Sequence, residues 1–315
     1  MDLVLGGIHH LTAITADAPG NVRFYTQVLG LRLVKKTVNQ DDTSAYHLFY
    51  GDGAASPGSD ITFFDWPAPR ETRGTRAIVR TAFRVAEASL GWWQERLKGM
   101  KIDAVAVDRG GRPALAFEDA EGQRLELVAD APGAQTHPWD KSPVPAEHQL
   151  RGLGPITLSV PQLETTSRVL TAVMNMREAG SYASRDHGDA ETHIFAMGPG
   201  GPAAELHVIV EPRAMPAQQG AGGVHHVAFR TPDYQGLAEW TRRVGALHIP
   251  SSGEVERYYF RSLYFREPNG ILFEIATDIP GFTADEPLET LGEKLSLPPF
   301  LEPRRADIER RLKPI

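Results

Sequence analysis

A unit of about 70 residues recurs four times along this chain, and two of the copies open on a pair of adjacent histidines. The first opening reads Ile8-His9-His10-Leu11-Thr12-Ala13-Ile14, with Asp17 seven residues after His10. The last reads Val224-His225-His226-Val227-Ala228-Phe229-Arg230, with Asp233 seven residues after His226. In the first copy, residues 9–15, 31–38, 46–50 and 60–64 alternate as strands do, and 21–29 read as a helix stopped by Gly30. The second copy opens at 80–85, has a helix at 88–98 and closes on 122–128. The third opens at 156–160, has a helix at 163–174 and closes on 201–207. The fourth opens at His226, has a helix at 234–244 and closes on Pro268-Asn269-Gly270-Ile271-Leu272-Phe273-Glu274-Ile275.

Such a βαβββ unit leaves one face of a short sheet apolar, and two units side by side make a cupped sheet able to hold a ligand. The expected fold is therefore α+β, with four βαβββ modules forming two cupped mixed β-sheets with flanking helices. A first pair of modules spans 6–130 and a second spans 155–280. The Pro-, Gly- and polar-rich stretch 131–154 reads as the linker, and 281–315 as a C-terminal tail.

Composition removes whole classes of function. A net charge of −7 gives no basic face for general nucleic-acid binding. No apolar run approaches the roughly 20 residues that span a membrane. The residues before Gly7 are too few for a secretion signal, so a cytoplasmic protein is expected. There is no cysteine, so a metal would be held by nitrogen and oxygen alone. Two histidines and one carboxylate from different strands suit a divalent ion with coordination positions left open.

The modular pattern resembles the vicinal oxygen chelate superfamily, which includes glyoxalases and extradiol dioxygenases, over residues 6–280. In that superfamily each module offers ligands from its first and last strands. Here the first-strand positions give His10 and His226, and the last-strand positions give Glu126, Glu205 and Glu274. If modules one and four pair, His10, His226 and Glu274 converge and the fourth position, at Thr62 or Phe63, stays empty. If sequence neighbours pair, neither site has two histidines, so the first arrangement is preferred. Glu126 and Glu205, without histidine partners, are expected to be solvent-facing or salt-bridged. Strict alternation turns His9 and His225 away from the cup unless a bulge intervenes, and puts Thr12 on the face of His10.

The segment Glu256-Arg257-Tyr258-Tyr259-Phe260-Arg261-Ser262-Leu263-Tyr264-Phe265-Arg266-Glu267-Pro268-Asn269-Gly270, with the two histidine pairs and the Leu297-Pro298-Pro299 tail, is similar to hydroquinone-specific ring-cleaving dioxygenases. The resemblance implies Fe(II), or Mn(II), held by His10, His226 and Glu274, with O₂ and a small aromatic as reactants. It implies a 1,2-cleavage in which Tyr264 reaches the reacting oxygens, Arg257 orients a hydroxyl, and His225 and Thr12 assist. By pattern alone, Tyr264 is equally well explained by core packing and Arg257 by a surface charge. Phe49, Phe63, Trp66 and Phe195 are wall candidates with the same alternative. An extradiol catechol dioxygenase, a glyoxalase-like isomerase or transferase, and a ligand-sequestering protein stay open, as does a homo-oligomer.

Overall fold

The computed structural model describes residues 3–131 and 133–315, and within them each copy of the repeat closes as a β-α-β-β-β unit. The first holds β1 (Ile8–Thr15), α1 (Ala18–Arg23), β2 (Arg32–Val38), β3 (Tyr46–Gly51) and β4 (Asp60–Asp65). The second holds β5 (Ala77–Val85), α2 (Leu90–Gly99), β6 (Val105–Asp108), β7 (Pro113–Glu118) and β8 (Arg124–Ala129). The third holds β9 (Leu153–Val160), α3 (Leu163–Arg168), β10 (Arg177–Ser184), β11 (Ala190–Ala196) and β12 (Glu205–Val210). The fourth holds β13 (Val224–Thr231), α4 (Tyr234–Ala246), β14 (Ser251–Glu256), β15 (Phe260–Arg266) and β16 (Leu272–Pro280); α5 (Arg305–Arg311) lies in the tail.

The repeated aspartates are explained by local chemistry. Asp17 Oδ1 accepts from Gly20 N at 3.1 Å and Asp233 Oδ1 from Gly236 N at 2.8 Å, so each caps the helix that follows its histidine strand. A cap of this kind is worth about 1 kcal/mol. Two helices are shorter than their sequence pattern: α1 and α3 pass into single π-type turns at Phe24–Val28 and Val169–Val173. Gly30, at φ +72, then turns the chain into β2.

Two eight-stranded mixed sheets result, ordered β14-β15-β16-β13-β1-β4-β3-β2 and β10-β11-β12-β9-β5-β8-β7-β6. The outer units, one and four, share the first sheet, joined by the antiparallel β1–β13 seam. The inner units share the second through β5–β9. Each sheet thus takes one unit from either side of the 131–154 stretch. The end of that stretch is itself strand, because Leu153 pairs with Phe83 as β9 begins.

Alternation divides each central strand between cup and core. On β1, Leu11 and Ala13 enter the main apolar cluster with Trp240 and Leu237 of α4 and Trp93 of α2, while His10 and Thr12 face the cup. Burying side chains of this size contributes about 2 kcal/mol each, which anchors the strands that carry the histidines. The tail covers the edge of β2: Leu297, Leu301 and Ile308 pack on Val38. Fully buried Lys35 pairs with Asp285 at 2.7 Å and with Glu286. Among the described residues no helix is long and apolar enough to cross a membrane.

Candidate metal centre

Two bulges in one seam bring the histidines together. Along β1–β13 the pairing passes from Ile8↔Phe229 to His10↔Ala228 and from Thr12↔His226 to Ala13↔Val224, leaving His9 and His225 each without an opposite number. A bulge of this sort re-aims the extra residue. His9 Nδ1 consequently lies 2.8 Å from His10 Nδ1, and His225 Nδ1 lies 2.8 Å from His226 Nδ1. Regular alternation places His9 and His225 on the far face; the bulge brings His225 into the cavity lining, while His9 stays out of that lining, buried beside His10. Beside this seam β16 runs parallel to β13 with Glu274 opposite Ala228. Glu274 Oε2 comes within 3.2 Å of His10 Nε2 and 2.8 Å of His226 Nε2. All three groups are buried, with Glu274 wholly so.

The hydrogen-bond network assigns the protons. The carbonyl of Thr277 can only accept, so His9 Nε2, 3.1 Å away, must donate. Burial, reinforced by the neighbouring His10, lowers the His9 pKa to about 3, so its ring is neutral and its Nδ1 is an acceptor. His10 Nδ1 therefore carries the proton and His10 Nε2 presents a lone pair. The second half mirrors the first. His225, lowered to about 3 by burial and then by His226, is neutral too. Thr12 Oγ1 lies 3.0 Å from His226 Nε2 and accepts from Thr62 Oγ1 at 2.9 Å. With its proton on Nδ1 and donated to His225 at 2.8 Å, His226 likewise presents an Nε2 lone pair.

Two imidazole lone pairs and a carboxylate oxygen are thus aimed at one point. Ser262 donates to Glu274 Oε1, but Oε2 is buried without a hydrogen bond of acceptable geometry despite its two close nitrogens. Burial by itself would raise the Glu274 pKa, but a proton on the flanking histidines holds it well below the usual carboxylate range, and a divalent cation would take that proton's place. The ligand atoms of His10, His226 and Glu274 lie within 4.8 Å of one another. The donor set fits a divalent cation with positions left open, and the orphaned oxygen is what such an ion would satisfy. Thr62, beside Thr12 in the β1–β4 register, offers only a hydroxyl where a fourth ligand would stand.

Above this point opens a cavity of about 330 Å³ walled by Phe49, Phe64, Trp66, Phe260 and Leu272. Thr12, His225, Arg257 and Tyr264 all line it. Tyr264 sits opposite Glu274 on β15, its ring centroid 5.9 Å from that of His226 and its hydroxyl 3.4 Å from Arg257 Nε. Burial pushes the Tyr264 pKa up, so the phenol stays protonated. Of the four aromatic wall candidates, Phe49 and Trp66 line the cavity, whereas Phe63 and Phe195 belong to the core. Two participants escaped the sequence pattern. The role of His9 required the bulge, and His47, whose Nε2 is 2.9 Å from Thr62 Oγ1, stands alone on β3 with no motif around it.

The sequence profile of the Glyoxalase/Bleomycin resistance protein/Dioxygenase superfamily matches residues 7–127 and 152–275. The chain belongs to this superfamily. It is 48% identical over 316 residues to a Bacillus subtilis strain 168 protein provisionally named ring-cleaving dioxygenase MhqA, covering 99% of each chain. It is 32% identical over 314 residues to the Chlorohydroquinone/hydroquinone 1,2-dioxygenase of Sphingobium indicum, covering 97% of this chain and 95% of the relative. A crystal structure of a provisionally assigned dioxygenase from Bacillus subtilis superposes with a TM-score of 0.92 at 35% identity, covering 99% of this chain and 98% of that one. In this superfamily member the second cup is chemically different. Glu126 accepts from Arg80 Nε at 3.0 Å and from Arg109, while Glu205 takes Arg112 at 2.7 Å and lies 3.2 Å from His207. Both carboxylates are salt-bridged, although Glu205, expected to stand without a histidine, has His207 beside it.

Proposed function

We propose that this chain is a non-haem Fe(II)-dependent ring-cleaving dioxygenase that opens a hydroquinone-type aromatic between a hydroxylated carbon and its neighbour. The observation that carries the reading is the His10, His226 and Glu274 set at the base of an aromatic-walled cavity of about 330 Å³, with no fourth ligand residue at Thr62. That set with open positions is the one non-haem Fe(II) oxygenases use, and Mn(II) has overlapping preferences. The hydroquinone substrate is supported by the activity for which the Sphingobium relative is named.

When bound, a redox-active divalent ion supplies the one-electron chemistry that lets an aromatic ring react with O₂. The chain's own residues do the rest. Phe49, Trp66 and Phe260 exclude water and hold the ring flat. Tyr264 donates a hydrogen bond from its neutral phenol toward a ring oxygen, and the Arg257 guanidinium stabilises negative charge there. His225, whose Nδ1 accepts from His226, lines the cavity as a neutral imidazole with its proton on Nε2, able to donate a hydrogen bond to substrate. Thr12 lines the cavity beside His226, 3.0 Å from its Nε2.

Anaerobic loading with Fe(II) or Mn(II), followed by O₂ uptake with methyl- and chlorohydroquinone beside a catechol panel, tests the reading. Stoichiometric uptake and ring-opened product with hydroquinones are expected. Uptake with catechols alone would reassign the substrate. Bound metal with no uptake from either panel would overturn the dioxygenase in favour of an isomerase or a sequestering protein.

A further inference from the structure

The mouth of the cavity is bounded by the turn between β2 and β3, and that turn is fastened to Arg257. Asp41 Oδ2 lies 3.0 Å from Arg257 Nη1, and Gln40 Nε2 donates to the Arg257 carbonyl at 2.7 Å. The turn is stiffened from inside, since Asn39 Oδ1 accepts from the backbone of Asp41 at 2.8 Å and of Asp42 at 3.3 Å. The opposing turn is fixed as well. Tyr258 holds φ +70, a left-handed conformation a non-glycine residue adopts only when its surroundings impose it. Arg257 N donates to Phe260 O at 3.0 Å and Tyr259 N to Arg257 O at 2.9 Å.

Arg257 is the one permanently charged cation among the residues lining this cavity; the others are apolar, aromatic, hydroxylic, amide, histidine or acidic. Its guanidinium is divided: Nε faces the Tyr264 hydroxyl at 3.4 Å, while Nη1 is occupied by Asp41. An incoming carboxylate would therefore meet a cation already paired, with the carboxylates of Asp41 and Asp42 at the mouth. Specificity built this way works by penalising the wrong ligand as much as by favouring the right one.

We propose that Asp41 is a specificity and positioning residue: by pairing with Arg257 it aims the guanidinium at Tyr264 and makes the cavity select rings with uncharged substituents over rings bearing a carboxylate. The identity of the ring as a dihydroxybenzene rests on the proposed function; the charge selection does not require turnover. Anaerobic calorimetric titration of the Fe(II)-loaded and metal-free protein with methylhydroquinone and with 2,5-dihydroxybenzoate reads it without O₂. The native protein is expected to bind methylhydroquinone at least ten-fold more tightly. Asp41→Asn should shift that ratio at least ten-fold toward the carboxylated ring, and Asp41→Glu should restore the native preference, which a purely structural role for the exposed turn would not do. Equal binding of both rings by the native protein, or an unchanged ratio in Asp41→Asn, would overturn the proposal. Tight, charge-selective binding with no O₂ uptake on aeration would instead count against the dioxygenase reading and leave this one standing.

Discussion

A histidine that is to hold a metal must present a lone pair, and at His10 the residue before it decides which nitrogen does so. His9 is tied to the Thr277 carbonyl at 3.1 Å and to His10 Nδ1 at 2.8 Å, which leaves His10 Nε2 free to coordinate. Partners of this kind outside the ligand set commonly change metal affinity 10- to 100-fold. His9→Ala should therefore weaken Fe(II) or Mn(II) binding by roughly that factor while His10, His226 and Glu274 remain in place. Alanine at any of those three should abolish stoichiometric binding, whereas Glu126→Ala should leave it unchanged. Equilibrium dialysis with metal analysis separates the cases, and native affinity in His9→Ala would show that the proton assignment does not matter.

The two sheets share one architecture but stabilise their concave faces differently, and acid should reveal it. Burial would raise the Glu205 pKa, but hydrogen bonds from His207 and Arg112 win and hold it at about 2 against the usual 4.5. A carboxyl lowered on folding adds stability above its unfolded pKa and loses it as pH falls through the folded value. Stability from this pair should thus be full above pH 4.5 and drain away toward pH 2. Glu205→Gln should flatten that limb and cost on the order of 2 kcal/mol at neutral pH, read from denaturant midpoints across the range. Elements of this kind were unevenly legible in the sequence. The histidine strands, the helices and the closing strands carry periodicity or capping signals. By contrast, β6 and most of β10 are exposed on both faces, so no hydrophobic alternation marks them. The cluster could be read because His10, His226 and Glu274 lie at corresponding places in the repeat. The bulges at His9 and His225 could not, because a bulge is a property of two strands in register and no single strand encodes it.

At the scale of the whole molecule the repeat is nested: units one and four enclose units two and three, so the proposed metal ligands come from opposite ends of the chain. Neither half, taken as it falls in sequence, contains the β1–β13 seam or the β5–β9 seam. Each half instead exposes the unpaired edges of two central strands, which favours aggregation over folding. The exposed residues Gln135 and Thr136 offer a place to divide the chain without entering a strand. Fragments 1–135 and 136–315 expressed separately should be insoluble or lack high-affinity metal binding. The longer one is the informative case, because it retains His226 and Glu274 and lacks only His10. Expressed together they should assemble one metal centre per pair, since the seams need only register and not chain continuity. Metal analysis after co-purification measures this directly. Native affinity in the 136–315 fragment alone would mean that two ligands suffice and that the outer pairing of units is not what builds the site.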